Sequence, residues 1–159
     1  MKAKRKNLSS EYVIKNSEMI CSKIINLDIY RKSRTLLCYI AMNNEADLGY
    51  LIESASSDGK QVFFPKVISH DTFVLDPEAD IYPDLIIVPA IAIDRNFHRL
   101  GYGRGYFDRY LKKAKNSHKL GVCLDEFLLD DVFPEIHDVA LDTIITEKTV
   151  LQNKTNMIK

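Results

Sequence analysis

The chain has 159 residues, of which 46% are hydrophobic and 28% are charged, as expected for one globular domain with a substantial core. Lysine plus arginine and aspartate plus glutamate number 22 each, so no net charge favours nucleic acid or an anionic membrane. No apolar run is long enough to span a bilayer, and the charged N-terminus lacks the apolar stretch of a signal peptide. The three cysteines are widely spaced in apolar sequence, which indicates reduced thiols. We expect a cytoplasmic monomer of one domain, residues 1–159.

Helix and strand patterns alternate along the chain. The predicted helices cover residues 11–26, 47–56 and 105–115, and the predicted strands cover residues 35–42, 61–64, 85–88, 120–124 and 143–146. Helices between strands imply parallel pairing through right-handed crossovers, so we expect a three-layer α/β domain with a mostly parallel central sheet flanked by helices. Residues 1–8 are basic, and a short basic terminus is typical of a disordered segment.

The most informative motif is Arg-Leu-Gly-Tyr-Gly-Arg-Gly-Tyr-Phe-Asp at residues 99–108. Glycine at every second position lets a ligand approach the backbone N–H groups, and the two arginines suit a phosphate. An apolar strand precedes the motif and a helix follows it, which favours an anion site. The motif lacks the Gly-Lys-Ser/Thr ending of a Walker loop and the spacing of a dinucleotide fingerprint. The alternative is a glycine-rich turn with aromatic side chains packed beneath it.

Three blocks of sequence extend this motif. Residues 84–94 lead into residues 99–111, residues 120–124 precede residues 133–147, and residues 36–45 precede residues 59–66. Together they resemble the signature of the 5-formyltetrahydrofolate cyclo-ligase family, also called methenyltetrahydrofolate synthetases, over most of the chain. The fold that this resemblance implies is of the same α/β class as the one that the element order predicts.

The resemblance implies an enzyme of one-carbon metabolism: a ligase that converts 5-formyltetrahydrofolate and ATP to 5,10-methenyltetrahydrofolate, ADP and phosphate, with Mg²⁺. The formyl oxygen is a poor leaving group until the γ-phosphoryl group of ATP is transferred to it, and N10 can then close the ring. Such a site needs cations around the phosphoryl group, a metal ion and a pocket for a flat pterin.

The resemblance also implies roles for particular residues. Arg104 and Tyr106 are the expected catalytic residues, and Ile40, Glu45, Tyr102 and Tyr106 are the expected substrate contacts. The expected nucleotide contacts are Arg99, Leu100, Gly101, Tyr102, Gly103, Arg104, Gly105, Tyr106 and Phe107. Each role has a plainer alternative: Arg104 as a surface arginine, Tyr106 as a core residue packed with Tyr110, and Ile40 as a core residue of a strand.

Asp108 and Asp138 match the family's aspartates assigned to magnesium. Mg²⁺ takes one or two protein carboxylates together with phosphate oxygens and water, so two acidic residues from distant segments suffice. From the residues alone, the preferred interpretation of Asp108 is an acid in the first turn of a helix, and that of Asp138 is a solvated loop residue.

The chain departs from the family pattern at two places. A basic Lys-x-x-x-Arg stretch that contacts ATP in the family is missing, because residues 4–9 align with the segment after it. The segment between residues 66 and 84 is about half the usual length, which predicts a shallower folate pocket. The alternative function is therefore a diverged member that binds nucleotide without closing folate. A nucleic-acid-binding module is disfavoured by the zero net charge.

Overall fold

A seven-stranded sheet forms the centre of the computed structural model, which describes residues 1–156. The helices are α1 (Lys2–Lys6), α2 (Ser10–Ile25), α3 (Asp28–Lys32), α4 (Gly49–Ser57) and α5 (Tyr106–Lys113). The strands are β1 (Thr35–Leu37), β2 (Gln61–Val67), β3 (Phe73–Asp76), β4 (Leu85–Val88), β5 (Ala92–Asp94), β6 (Arg99–Leu100), β7 (His118–Val122), β8 (Leu128–Leu129), β9 (Thr143–Ile145) and β10 (Val150–Gln152).

The strand order of the large sheet is β10-β9-β7-β4-β1-β2-β3, and β6, β5 and β8 form a small second sheet. The five inner strands of the large sheet are parallel, whereas β3 and β10 pair antiparallel at its edges. From the adjacent pair β1 and β4 the chain progresses outward in opposite directions, so right-handed crossovers put α4 and α5 on opposite faces. The predicted mostly parallel sheet flanked by helices is confirmed. Ligands of such folds bind beyond the carboxyl ends of the strands at this reversal.

The core lies on both faces of the sheet. All four residues of β4 are fully buried, which explains their continuous apolar sequence. The cysteines are free and buried. Burial raises the pKa of Cys21 to about 11 and the pKa values of Cys38 and Cys123 to about 12, so the three thiols are unreactive packing residues.

The structure corrects several sequence-based expectations. The strand predicted over residues 35–42 ends at Leu37, because the following segment leaves the ladder and turns at Asn43 and Asn44, which have φ of 52° and 58°. The expected disorder of residues 1–8 differs from the structure, in which α1 is helical and Arg5 is buried. No helix within residues 1–156 is both long and apolar enough to cross a membrane.

Candidate active site

One cavity lies beyond the carboxyl ends of β1 and β4. Its volume is about 750 Å³, within the range of small-molecule sites. The segment after β1 and the segments after β4 both reach this edge because β1 and β4 are neighbours. Every residue that the sequence assigned to catalysis, nucleotide, substrate or metal borders this cavity: Ile40, Glu45, Arg99, Leu100, Gly101, Tyr102, Gly103, Arg104, Gly105, Tyr106, Phe107, Asp108 and Asp138. Their contacts with ligands stay predictions.

The glycine loop, residues 101–105, connects β6 to α5. Gly103 and Gly105 have φ of +91° and +67°, a region that side chains other than glycine rarely adopt. A Cβ on Gly103 would meet nothing within 4 Å, so the loop surface there is open to a ligand. Arg104 is exposed between these glycines, and its carbonyl oxygen accepts a 2.7 Å hydrogen bond from Nη2 of Arg109. The loop therefore presents backbone N–H groups and one exposed guanidinium at the start of α5.

Arg99 lies beneath the glycine loop and is held by the protein. Its Nη2 is 3.1 Å from Oδ2 of Asp108, and its Nη1 donates a 3.1 Å hydrogen bond to the carbonyl oxygen of Pro89. A Cβ on Gly101 would lie 2.7 Å from Nη1 of Arg99, so glycine at 101 makes room for the guanidinium. Burial lowers the pKa of Arg99, while the carboxylates of Asp108 and Asp138 oppose that shift. Arg99 thus supplies fixed positive charge in the wall of the cavity.

Asp108 and Asp138 approach the cavity from α5 and from the loop after β8. Asp138 accepts a 2.8 Å hydrogen bond from the backbone N–H of Glu135. No group of three or more His, Cys, Asp or Glu side chains suitable for a metal occurs among the described residues. The two carboxylates fit a Mg²⁺ ion that takes its remaining ligands from phosphate and water. They do not fit a metal held by protein ligands alone.

A chain of hydrogen bonds joins the glycine loop to the segment after β1. Tyr102 donates a 2.6 Å hydrogen bond to Oε1 of Glu45, and Oε2 of Glu45 accepts a 2.9 Å bond from the N–H of Met42. Nη1 of Arg5 donates to the Tyr102 hydroxyl at 3.0 Å. Burial, and then the contact with Glu45, raises the pKa of Tyr102 to about 12, while Arg5 opposes the shift. Tyr102 is therefore neutral at physiological pH.

Exposed apolar side chains line the rest of the cavity. Ile40, which sequence reasoning also allowed as a core residue, is 66% exposed, and Phe133 is 85% exposed. Phe64, Pro65 and Val67 of β2 continue this apolar surface. An apolar wall opposite polar groups suits a flat aromatic ligand. Sequence reasoning did not single out Phe133. The available signal was an aromatic residue directly before Pro134, at the start of the block of residues 133–147.

The short segment between β2 and β4 contacts the glycine loop and α5 beside the cavity. Residues 68–72 turn back toward the glycine loop, where Nε of Arg109 donates a 2.7 Å hydrogen bond to the carbonyl oxygen of Asp71. The Tyr106 hydroxyl donates a 3.4 Å bond to the carbonyl oxygen of Ser69. Tyr110, not Tyr106, is the ring stacked on the core residue Phe73, at 4.6 Å between centroids. Tyr106 is half-buried, packs on the edge of the core and also borders the cavity.

Comparisons with known proteins agree over nearly the whole chain. The sequence profile of the 5-formyltetrahydrofolate cyclo-ligase family matches residues 1–81 and 73–147. A probable 5-formyltetrahydrofolate cyclo-ligase of Schizosaccharomyces pombe is 27% identical, with 92% of this chain and 91% of that protein covered. The 5-formyltetrahydrofolate cyclo-ligase of Mycoplasma pneumoniae is 28% identical, with 72% of this chain and 74% of that protein covered.

Two solved structures share the architecture. A 5,10-methenyltetrahydrofolate synthetase from Mycoplasma pneumoniae superposes with a TM-score of 0.81 at 25% identity, covering 92% of this chain and 93% of that one. The Aquifex aeolicus 5,10-methenyltetrahydrofolate synthetase has a TM-score of 0.82 at 28% identity, covering 95% and 88%. The resemblance therefore extends from the motifs to the complete fold.

Proposed function

Because this chain belongs to the 5-formyltetrahydrofolate cyclo-ligase family, we propose that it catalyses the ATP-dependent closure of 5-formyltetrahydrofolate to 5,10-methenyltetrahydrofolate, releasing ADP and phosphate. The observation that carries the proposal is the single cavity of about 750 Å³ that the glycine loop, Glu45 and the two aspartates share. The cysteines of the protein are free and buried, which agrees with a cytoplasmic location. We propose that the enzyme works there as a monomer.

Folate recognition is assigned to the wall formed by Glu45, Tyr102 and Ile40. A carboxylate offers about four acceptor positions, and Glu45 uses one on each oxygen within the protein. The remaining positions can accept the N–H groups along the amino-pyrimidine edge of a pterin. The exposed side chain of Ile40 offers apolar contact to the flat ring. This division of polar edge and apolar face supports the assignment.

ATP recognition is assigned to the glycine loop. Backbone N–H groups left uncovered by Gly103, together with the start of α5, suit phosphate oxygens. Arg104 is the exposed cation of this loop, and its Nη1 lies 3.5 Å from the Tyr106 hydroxyl. We assign to Arg104 the stabilisation of the phosphoryl group in transfer, and to Tyr106 the orientation of the formyl oxygen.

The reaction proceeds in two steps. The formyl oxygen attacks the γ-phosphorus, the bond from that phosphorus to the β–γ bridging oxygen breaks, and ADP leaves. N10 then adds to the activated formyl carbon and releases its proton, and the carbon–oxygen bond breaks to give phosphate and the methenyl product. The cavity contributes by holding both substrates together and by supplying charge where the phosphoryl group moves.

A magnesium ion belongs to the same proposal. Asp108 and Asp138 would hold it, because both carboxylates border the cavity beside the glycine loop. When bound, the ion would neutralise charge on the phosphate oxygens of ATP.

The proposal is tested by following methenyltetrahydrofolate absorbance with 5-formyltetrahydrofolate, with and without MgATP. We expect product only with MgATP. The variant R104A should lower kcat by at least about tenfold, because it removes a cation from the transferred group. The variant K112A is the matched control, since Lys112 is an exposed cation on α5. If the unmodified protein binds ATP but forms no product, the enzyme assignment is wrong and a diverged nucleotide-binding protein replaces it.

A further inference from the structure

Arg5 is a buried cation joined to the cavity wall from the far N-terminus of the chain. It belongs to α1 and is only 4% exposed. Its Nη2 donates a 2.9 Å hydrogen bond to the carbonyl oxygen of Ala90 and a further bond to that of Ile91. Its guanidinium carbon lies 5.1 Å from the ring centroid of Phe127. Such a cation is costly to bury unless its contacts compensate, so this arrangement fixes the guanidinium in one place.

The remaining hydrogen bond of Arg5 sets the direction of a proton. A guanidinium group has donors and no acceptor, so the Tyr102 oxygen accepts the 3.0 Å bond from Nη1. The Tyr102 hydrogen is then free to point toward Oε1 of Glu45, 2.6 Å away. In the chain of hydrogen bonds from Arg5 through Tyr102 to Glu45, each group therefore donates to the next. Glu45, which borders the cavity, accepts one of these hydrogen bonds from Tyr102 and another from the N–H of Met42, one on each carboxylate oxygen.

A second contact ties α1 to the same wall. Nδ2 of Asn44, the residue before Glu45, donates a 3.0 Å hydrogen bond to the carbonyl oxygen of Arg5. Asn44 has φ of +58° and belongs to the turn that aims Glu45 back at the cavity. Side chain and backbone of Arg5 thus hold both Tyr102 and the turn that carries Glu45.

We propose that Arg5 is a positioning residue for folate recognition, which acts through Tyr102 to hold the Glu45 carboxylate in its binding orientation. The inference rests on the proposed function, and it makes α1 a support behind the wall that Tyr102 and Glu45 form. A purely structural anchor for α1 would make a different prediction, because loss of an anchor lowers the amount of folded enzyme and leaves the Michaelis constants of that enzyme unchanged.

The test compares R5M, R5K, Y102F and the double variant R5M/Y102F, with K15A as the control. Lys15 is an exposed cation on α2. We expect R5M and Y102F each to raise the KM for 5-formyltetrahydrofolate by about tenfold or more, and the KM for ATP by less than about twofold. The double variant should raise the KM for 5-formyltetrahydrofolate no more than the more impaired single variant does, because both substitutions interrupt the same chain of hydrogen bonds. R5K should recover part of the loss, since a lysine keeps the charge but cannot serve Tyr102 and both carbonyls together.

A readout without substrate separates this inference from the proposed function. In the unliganded protein, R5M and Y102F should speed hydrogen exchange of the amides of residues 101–106, and K15A should not. If the parent protein forms no methenyl product, the proposed function is wrong, but the exchange data still test whether Arg5 holds the glycine loop in place. An R5M variant with unchanged exchange in the glycine loop, or with a lowered kcat and parental KM values for both substrates, would overturn the inference.

Discussion

Replacement of Asp108 by asparagine tests whether Asp108 both stabilises the buried Arg99 guanidinium and binds Mg²⁺. The side chain of Arg99 is 5% exposed and that of Asp108 is 26% exposed, and 3.1 Å separates Nη2 from Oδ2. Removing one partner of a fully buried ion pair costs about 3–5 kcal/mol. Here water reaches one side of Asp108, and asparagine keeps a neutral acceptor, so we expect D108N to lower the free energy of unfolding by about 2 kcal/mol.

Thermal unfolding measures this effect. A loss of about 2 kcal/mol in a domain of this size corresponds to a Tm lower by about 4–8 °C. The matched control is D138N, because Asp138 also borders the cavity and lies in the electric field of Arg99, but its carboxylate hydrogen-bonds to a backbone N–H in its own loop and not to the guanidinium. Its Tm should stay within about 2 °C of the parent. Both variants should raise the Mg²⁺ concentration needed for half-maximal activity, since each loses a carboxylate.

A double-mutant cycle identifies the cause. In an R99M background the guanidinium is absent, so the further change D108N should cost less than about 0.5 kcal/mol. A D108N variant with the parental Tm, or the same loss with and without Arg99, would refute the reasoning. Overlapping Mg²⁺ titrations for both aspartate variants and the parent would move the metal site elsewhere.

Three further predictions follow from the geometry. E45Q should weaken 5-formyltetrahydrofolate binding about tenfold to hundredfold, because an amide donor replaces one of the two acceptors facing Tyr102 and Met42. Calorimetric titration in the presence of a non-hydrolysable ATP analogue measures this affinity, and an unchanged value would contradict the role of Glu45. G103V should abolish ATP binding, whereas G59V, at a similar φ of +74° with open space, should retain it; equal ATP affinities in the two folded variants would contradict the loop assignment. Burial lowers the pKa of His118 below its ordinary 6.5, although Asp142 opposes the shift, so the unfolded state takes up this proton first and stability falls as the pH falls below about 6.5. H118N should flatten that dependence in urea unfolding between about pH 7.5 and pH 5.5, and an identical slope in both proteins would remove His118 as its source.

Much of the fold was predictable from local pattern. β4 matches its prediction residue for residue because a strand covered on both faces must be continuously apolar. The start of α2 follows from Ser9, whose Oγ accepts a 3.2 Å hydrogen bond from the N–H of Tyr12. The position of the glycine loop at the cavity was predictable because its alternating glycines directly follow a strand and precede a helix.

The features that sequence missed depend on contacts between distant segments. β5, β6 and β8 have only two or three residues each, too few for a periodic pattern, and they exist because their pairing partners are nearby. The role of Arg5 depends on Tyr102, 97 positions away. A basic terminus offers no local signal that one of its cations is buried. Only the assembled fold separates Arg5 from the exposed lysines on either side of it.

The most direct measurement of the central claim follows the fate of the formyl oxygen. The protein is incubated with MgATP and 5-formyltetrahydrofolate carrying ¹⁸O in the formyl group, and phosphate is analysed by mass spectrometry. Because the formyl oxygen attacks the γ-phosphorus and leaves on phosphate, we expect one labelled oxygen in each phosphate and one ADP for each methenyl product. Unlabelled phosphate, or ADP formed without methenyltetrahydrofolate, would contradict it.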